Sequence, residues 1–325
     1  DGRYYFYFKQ NGTVSGRYGS DAQQLPKPLE EGEDAPIIVK YVNIVRAFLT
    51  AGKGRKVIDA DYESLEPHCF ASVSGDEKLQ EIFDNNYDFY SYVAIQTEKL
   101  EGVSADKKAD NYLKKLDPVK RNKAKAYSLG VAYGMEAYAL KMTLGVDQKT
   151  AEGLIKGYLD GFPQLRDWRE NSRKKVKENG FIKNYVGRVR HLPRVKKIYD
   201  KFGERMMDWR FRKDLESQGY GRDQVLKVYR DYRNGLNNCL NFQLQSLAAA
   251  VVNRAAVEIN RKAKELNIDA IVQAQVHDQL IINVDEKDAE MFAPYVQKIM
   301  ENTTKLPGVT LKAPPEISDN WRDGH

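Results

Sequence analysis

Cysteine is nearly absent: the 325 residues contain 2, Cys69 and Cys239. Two thiols are too few for a disulfide framework or a cysteine-based zinc site, and their scarcity suits a reducing compartment. No apolar run reaches the roughly 18 residues that a membrane-spanning helix needs, so no span is expected. The basic-then-apolar leader of a secretory signal is missing too. Neither an internal repeat nor a low-complexity tract is found, which argues against a repeat architecture. There is no initiator Met, and the opening "DGRYYFYFKQ" starts inside a Tyr/Phe run, as a fragment's start would. A strong charge bias is also lacking. Lys and Arg number 52 against 46 Asp and Glu, a net charge of +6, which permits nucleic acid as a partner without requiring it.

What is present suits a globular fold of more than one lobe. The chain is 42% hydrophobic, with 20 Tyr, 12 Phe and 3 Trp, enough to bury a substantial core at this length. "RYYFYFKQNGTVSGRY" carries two β-rich runs around Asn11-Gly12 and reads as a hairpin. "RKVIDADY" (residues 55–62) reads as a strand. Residues 65–100 have helical spacing, broken at "SGDE" (residues 74–77) by a turn and N-cap. Asp117-Pro118 opens a helix running through Tyr133, stopped by Gly134. Helices are expected at about 136–144, 148–160 and 163–179, then a hairpin turning at Val186-Gly187. Residues 196–235, dense in charge, Tyr and Arg, read as helical and surface-exposed. Helix returns over 236–266, and "DAIVQAQ" and "QLIINV" form two strands joined at Val276-His277-Asp278. Strands at both ends around a helical middle predict an α+β fold whose sheet is assembled from distant segments, with a helical lobe inserted.

Two acids interrupt otherwise apolar strands. Asp278 sits at the joint of the two C-terminal strands, where flanking apolar runs pin a tight turn. Asp61 ends "VIDADY", with Asp59 two residues earlier on the same face. An isolated ionised carboxylate in such a place is costly unless a cation or donor meets it. A pair on adjacent rigid strands offers oxygen ligands to Mg²⁺ and leaves room for substrate phosphates. Such a pair can hold two ions about 3.5–4 Å apart. An Asp at a strand end is more often a plain turn former or cap, so the pair gains weight from the helix between. There Arg121, Lys125, Leu129 and Tyr133 recur every four residues, a stripe running cation, cation, apolar, aromatic. It can take a polyphosphate tail, a sugar and a base in that order.

On these residues the chain resembles the family A DNA polymerases, the DNA polymerase I family. The family's D-Y-S-x-I-E-x-R and A-H-x-S-G-D pattern is matched by "DYESLEPHCFASVSGDE" (residues 61–77). Its R-x-x-x-K-x-x-x-F/Y-G-x-x-Y-G pattern is matched by Arg121, Lys125, Leu129, Gly130, Tyr133 and Gly134. Its V-H-D-E pattern is matched by Val276, His277, Asp278 and Gln279. Weaker likeness covers "SGRYGSDAQQLP", "NFQLQSLAAA" and "NWRDGH", so the resemblance spans nearly the whole chain.

The resemblance implies a palm with a small antiparallel sheet plus an inserted helical fingers subdomain. Residues 1–85 would form the first part of the palm, 86–235 the fingers with an insertion at about 196–235, and 236–325 the second part of the palm. It further implies a template-directed DNA polymerase with Asp61 and Asp278 as catalytic carboxylates binding two Mg²⁺ ions and the Tyr62 carbonyl as an extra ligand. Glu66, Tyr90, Arg121, Lys125, Leu129 and Tyr133 would form the nucleotide site, with Glu66 walling off the sugar's 2′ side. Arg17, Gly134, Asn241, Gln245 and His277 would lie along the primer-template. The implied partners are primer-template DNA, deoxynucleotides and a separate or upstream thumb and exonuclease segment. The implied setting is the cytoplasm of a bacterial host, with the long 196–235 stretch pointing to a phage source.

Five positions depart from the family pattern: Leu129 replaces Phe or Tyr, Tyr90 a His, Gln279 a Glu, His68 an Arg, and Asn237 an Arg. Two rivals share many of these residues. A single-subunit RNA polymerase has the two acids, the basic helix and its Tyr, but Glu66 argues against it. A non-catalytic nucleic-acid-binding subunit is supported by Gln279 and opposed by Asp61, Asp278, Arg121 and Lys125.

Overall fold

The computed structural model describes residues 4–10, 12–25 and 37–324, apart from the Lys40 side chain. Its strands are β1 (Phe8–Lys9), β2 (Gly19–Ser20), β3 (Arg55–Asp61), β4 (Phe181–Lys183), β5 (Val189–His191), β6 (Ala270–Val276), β7 (Gln279–Asp285) and β8 (Pro315–Ser318). β1 and β2 pair antiparallel, Phe8 with Ser20. The hairpin is there, but residues 10–18 close it rather than a two-residue turn at Asn11-Gly12, and Asn11 lies outside the described residues. The main sheet has the order β6-β7-β3-β8, every neighbour antiparallel, so strands more than 200 residues apart in sequence lie side by side. This is the α+β architecture expected.

The chain divides into two compact units. One comprises residues 1–65, 245–306 and 310–325; the other comprises 66–244 and 307–309. The first holds the sheet. Strand periodicity puts Val57, Asp59, Asp61, Gln279, Ile281 and Asn283 on one face. Val57 and Ile281 there pack with Ala274, Val276 and Trp321, with Phe6 and Phe8 against them. Leu280, Ile282 and Val284 occupy the opposite face, so β7 is buried on both sides and reads as a continuous apolar run.

The helices, in chain order, begin with α1 (Ile37–Ala47) in the sheet unit. The helical unit contains α2 (Leu65–Ser74), α3 (Glu77–Asp84), α4 (Phe89–Glu98), α5 (Leu113–Leu116), α6 (Pro118–Ala132), α7 (Ala137–Leu144), α8 (Gln148–Gly161) and α9 (Pro163–Asn179). Its starts are written in the sequence. Asp76 caps α3 through the Leu79 amide at 3.2 Å and also accepts from the Leu165 amide at 3.2 Å, fixing the first turn of α9 against it. Asp117 caps α6 through the Lys120 amide at 3.0 Å, with Pro118 in the first turn. Cys69 and Cys239 are buried free thiols.

Residues 196–235 are helical and mostly exposed, as expected, and they also cover an apolar core. α10 (Pro193–Phe202), α11 (Trp209–Ser217) and the start of α12 (Arg222–Glu265) bury Val195, Ile198, Met206, Leu215, Val225 and Tyr232 with Val176 and Ile182 in one apolar cluster. The long charged side chains cover this core from outside. α12 runs unbroken for 44 residues, about 66 Å at 1.5 Å per residue. The helix runs through Gly235, where a side chain would collide with Val195 Cγ2. α13 (Ala289–Asn302) completes the sheet unit, and the Tyr62 hydroxyl donates to the Met300 carbonyl at 2.7 Å.

Candidate active site

The joint between β6 and β7 is a two-residue turn, with Val276 paired to Gln279 and His277 and Asp278 between them. His277 has φ of +58°, a left-handed conformation that costs a non-glycine residue roughly 1 kcal/mol and persists only where neighbours over-determine it. The ladder supplies that constraint. Asp61 pairs with Gln279, and the Tyr62 amide donates to the Asp278 carbonyl at 3.4 Å. The backbones carrying Asp61, Tyr62 and Asp278 are therefore adjacent and fixed, and both acids are half-buried while His277 is exposed.

A third acid lies beside them. Asp59 is 2% exposed, and the Gln279 side-chain amide donates to both of its oxygens, at 2.8 and 2.7 Å. Burial pushes Asp59 up to about 7; the Gln279 hydrogen bond opposes this, the Asp61 charge adds to it, and the Arg46 charge draws it back. Arg46 is 1% exposed, its guanidinium 4.3 Å from the centre of the Trp321 ring and bonded to the Leu25 carbonyl at 3.1 Å. Burial lowers Arg46 from its ordinary value. The Asp59–Gln279 pair and Arg46 escape sequence reasoning. The alternation that places Asp59 beside Asp61 is visible, whereas its partner across the ladder depends on register, and nothing in "NIVRAF" marks Arg46 as buried.

In the helical unit, α6 carries the expected stripe. Arg121 is tied to Asp88 by two parallel bonds, Nε to Oδ2 at 2.7 Å and Nη2 to Oδ1 at 3.0 Å. Burial acts to lower the arginine, but Asp88 outweighs it and holds Arg121 above its ordinary value; burial would raise Asp88, but Arg121 and Ser91 hold it below the usual carboxylate range. Asp88 also accepts from the Ser91 amide at 3.1 Å, so one carboxylate caps α4 and aims the guanidinium. The Tyr90 ring lies 5.2 Å from the Arg121 guanidinium and 5.8 Å from Lys125 Nζ, which brings three of the expected nucleotide residues together. Tyr133 closes α6, its amide on the Leu129 carbonyl at 2.9 Å and its ring 5.2 Å from Phe70. Gly134 follows with φ of +98°, and a side chain there would collide with Asn237 Oδ1.

Glu66 stands in the first turn of α2, half-buried, at the start of the helical unit. Of the residues expected along a primer-template, Arg17, Gln245 and His277 belong to the sheet unit, and Gly134 and Asn241 to the helical unit. His68 is buried, stacked on Phe83 at 3.8 Å. Asn237 accepts from Arg173 at 3.1 Å.

At the turn the Asp61 and Asp278 carboxylates and the Tyr62 carbonyl offer oxygen donors. That set fits a hard divalent cation rather than a thiophilic metal. Among the described residues no cluster of three or more His, Cys, Asp and Glu is placed to hold a metal by itself.

The fold is that of a polymerase palm and fingers. The structure aligns with the POL domain of Pol1 from M. smegmatis, solved in complex with DNA primer-template and dNTP, with a TM-score of 0.76 over 98% of this chain and 48% of that one, at 23% identity. Residues 1–323 match the sequence pattern of DNA polymerase family A, and the chain belongs to that family. It is 27% identical over 308 residues to DNA polymerase I of Caldicellulosiruptor bescii, covering 94% of this chain and 30% of that protein. It is likewise 27% identical over 320 residues to the thermostable DNA polymerase I of Thermus filiformis, covering 98% and 32%. The chain thus spans about a third of the length of these relatives.

Proposed function

We propose that this chain is the palm and fingers core of a DNA-directed DNA polymerase, adding deoxynucleotides to a primer 3′-hydroxyl with release of pyrophosphate. In this reading residues 1–85 and 236–325 form the palm, 86–235 the fingers, and 196–235 an insertion of a phage-type enzyme working in the bacterial cytoplasm. The observation that carries it is the ladder placing Asp61 and Tyr62 against Asp278 and Gln279 at a strained turn, in a chain of this family.

Asp61, Asp278 and the Tyr62 carbonyl would hold Mg²⁺, two ions in the full site. When bound, such ions supply charge neutralisation at the attacking and leaving oxygens. The chain's own residues do the positioning. Asp88 fixes the Arg121 guanidinium, and the exposed Lys125 adds a second cation on the same face for the triphosphate. Leu129 and Tyr133 follow toward the sugar and base, Tyr90 stands beside both cations, and Glu66 disfavours a ribose hydroxyl. Arg17, Gly134, Asn241, Gln245 and His277 would line the primer-template; donors in its minor groove meet acceptors common to all correct pairs. A thumb and exonuclease segment would come from upstream or from a separate subunit.

Primer extension with Mg²⁺ tests this. The parent extends a primed template with deoxynucleotides in preference to ribonucleotides, and Asp278→Ala falls by at least about 10²-fold, the scale of removing one preorganised electrostatic partner. No extension by the parent would favour the non-catalytic subunit, equal extension by parent and variant would remove Asp278 from the reaction, and preference for ribonucleotides would favour the RNA polymerase reading.

A further inference from the structure

Outside the polymerase residues, α9 carries a second cationic stripe. Arg166, Arg169, Arg173 and Lys177 follow at steps of three and four, so they share one face of the helix. All four line a cavity of about 590 Å³ bounded by α7, α8, α9 and the early turns of α12, within the helical unit. That volume is in the range of small-molecule sites.

Three of the four cations are neutralised. Arg166 pairs with Asp160 at 3.6 Å, Arg173 with Glu170 at 3.2 Å, and Lys177 with Glu204. Arg169 makes no ion pair among the described residues, although the charge of Glu170, which pairs with Arg173, also reaches it. It is 5% exposed, and its Nε and Nη1 have no hydrogen-bond partner among the described residues; nor does Nε of the neighbouring Arg173. Burial, with the Arg173 charge beside it, pushes Arg169 down to about 10, which still leaves it charged at neutral pH. A buried guanidinium with unmet donors is costly unless an anion meets it, and its planar fork matches the oxygens of a phosphate. Met135, Leu159, Met207 and Leu236 give the cavity apolar walls as well.

We propose that this cavity is a binding site for an oxyanion of the phosphate class, held by the Arg169 guanidinium with Arg173 beside it. The cavity reaches Gly134, just past the end of the α6 stripe, but none of Arg121, Lys125, Leu129 and Tyr133 lines it, and the inference does not rest on the polymerase reading. The oxyanion comes either as a free ion, inorganic phosphate or pyrophosphate, or as one phosphodiester of a nucleic-acid strand.

The test uses the full chain in EDTA, so that no polymerisation contributes. The thermal unfolding midpoint is measured in phosphate, in pyrophosphate and in potassium chloride at matched ionic strength, and anisotropy follows a short labelled oligothymidylate. Parent, Arg169→Met and Arg169→Lys are compared. In the parent at least one probe binds: a midpoint raised by phosphate or pyrophosphate assigns a free anion, and a response to the oligonucleotide alone assigns a phosphodiester. Arg169→Met is at least as stable as the parent without anion, because an unpaired buried charge is gone, and its apparent affinity for the responding probe falls about tenfold or more. Arg169→Lys retains part of it. No response of the parent to any probe beyond chloride overturns the site, as does Arg169→Met that is destabilised while its anion response is intact, which would mark an arginine satisfied by water. If Arg169→Met does not fold, the parent titration and Arg169→Lys still decide.

Discussion

Replacing Asp88 with Asn tests how the cationic face of α6 is built. Asp88 is 7% exposed and makes two charge-assisted bonds to Arg121 while capping α4. Breaking a buried pair by removing one partner costs about 3–5 kcal/mol. The Arg121 side chain here keeps 15% exposure, and an Asn can still accept one bond and still cap the helix, so the expected loss for Asp88→Asn is about 2 kcal/mol. Asp88→Ala should lose about 1 kcal/mol more, the cap's share.

The acid limb gives a second reading. Asp88's folded pKa is depressed below its ordinary 3.8, so its contribution is present above about pH 4 and is lost as pH falls through the folded value. Urea unfolding from pH 7 down to pH 2 should therefore show the gap between parent and Asp88→Asn closing on acidification. Nucleotide binding gives a third: with Arg121 unfixed, KM for deoxynucleotides rises several-fold while kcat changes less, the pattern of lost ground-state binding. Asp88→Asn within about 0.5 kcal/mol of the parent at pH 7, with unchanged KM, would refute the account and make the pair a surface ornament.

Three further outcomes follow from the same geometry. Asp59, raised to about 7, holds its proton more tightly folded than unfolded, so in EDTA the parent should lose stability as pH rises from about 4 through 7, by up to about 4 kcal/mol at roughly 1.36 kcal/mol per pKa unit. Asp59→Asn should flatten that limb in a urea series, and parallel curves would exclude it. Gly134→Ala meets both a left-handed backbone and Asn237 Oδ1, so it should cost about 1–3 kcal/mol, partly relieved by Asn237→Gly, as read by thermal unfolding. Primer-template binding by this chain alone should be weak and strongly salt-dependent, log affinity falling with log salt by about 0.9 per duplex phosphate contacted; gel shifts that stay tight across a salt series would contradict it.

Much of this was legible because local chemistry and tertiary fold agree at the motifs. Asp117-Pro118 specifies where α6 begins whatever packs on it, and the structure ends the helix one residue before the expected Tyr133. The joint at Val276 and Asp278 was legible for a related reason: two apolar runs broken by a polar pair leave a turn as the way to keep both runs in the sheet. Where expectation failed, long-range packing had overruled a local signal. The sequence reads a helix returning at residue 236, yet one helix runs from Arg222 through Gly235, where the absence of a side chain lets α12 approach Val195. The density of Tyr and Arg over 196–235 reads as surface-exposed, as most of these residues are, but charge obscures the spacing at which Ile198, Leu215 and Val225 join Val195 in a core.

The same reasoning applies to Gln279. Against the family pattern, V-H-D-E, the substitution reads from sequence as one negative charge removed. The ladder shows Asp59 facing that amide across β3 and β7, both oxygens bonded to it. The chain therefore keeps an acid beside Asp61 and Asp278 but carries it on the opposite strand, where a neutral donor is the partner it needs. A glutamate at 279 would set two buried carboxylates against each other, with the Arg46 charge acting on Asp59, a like-charge contact in low dielectric that forces one of them to protonate. Gln279 and Asp59 are thus one hydrogen-bonded pair. Gln279→Glu alone should destabilise the sheet, and Gln279→Glu with Asp59→Ala should recover most of the loss; additive effects of the two changes in a denaturation cycle would show that the residues are independent.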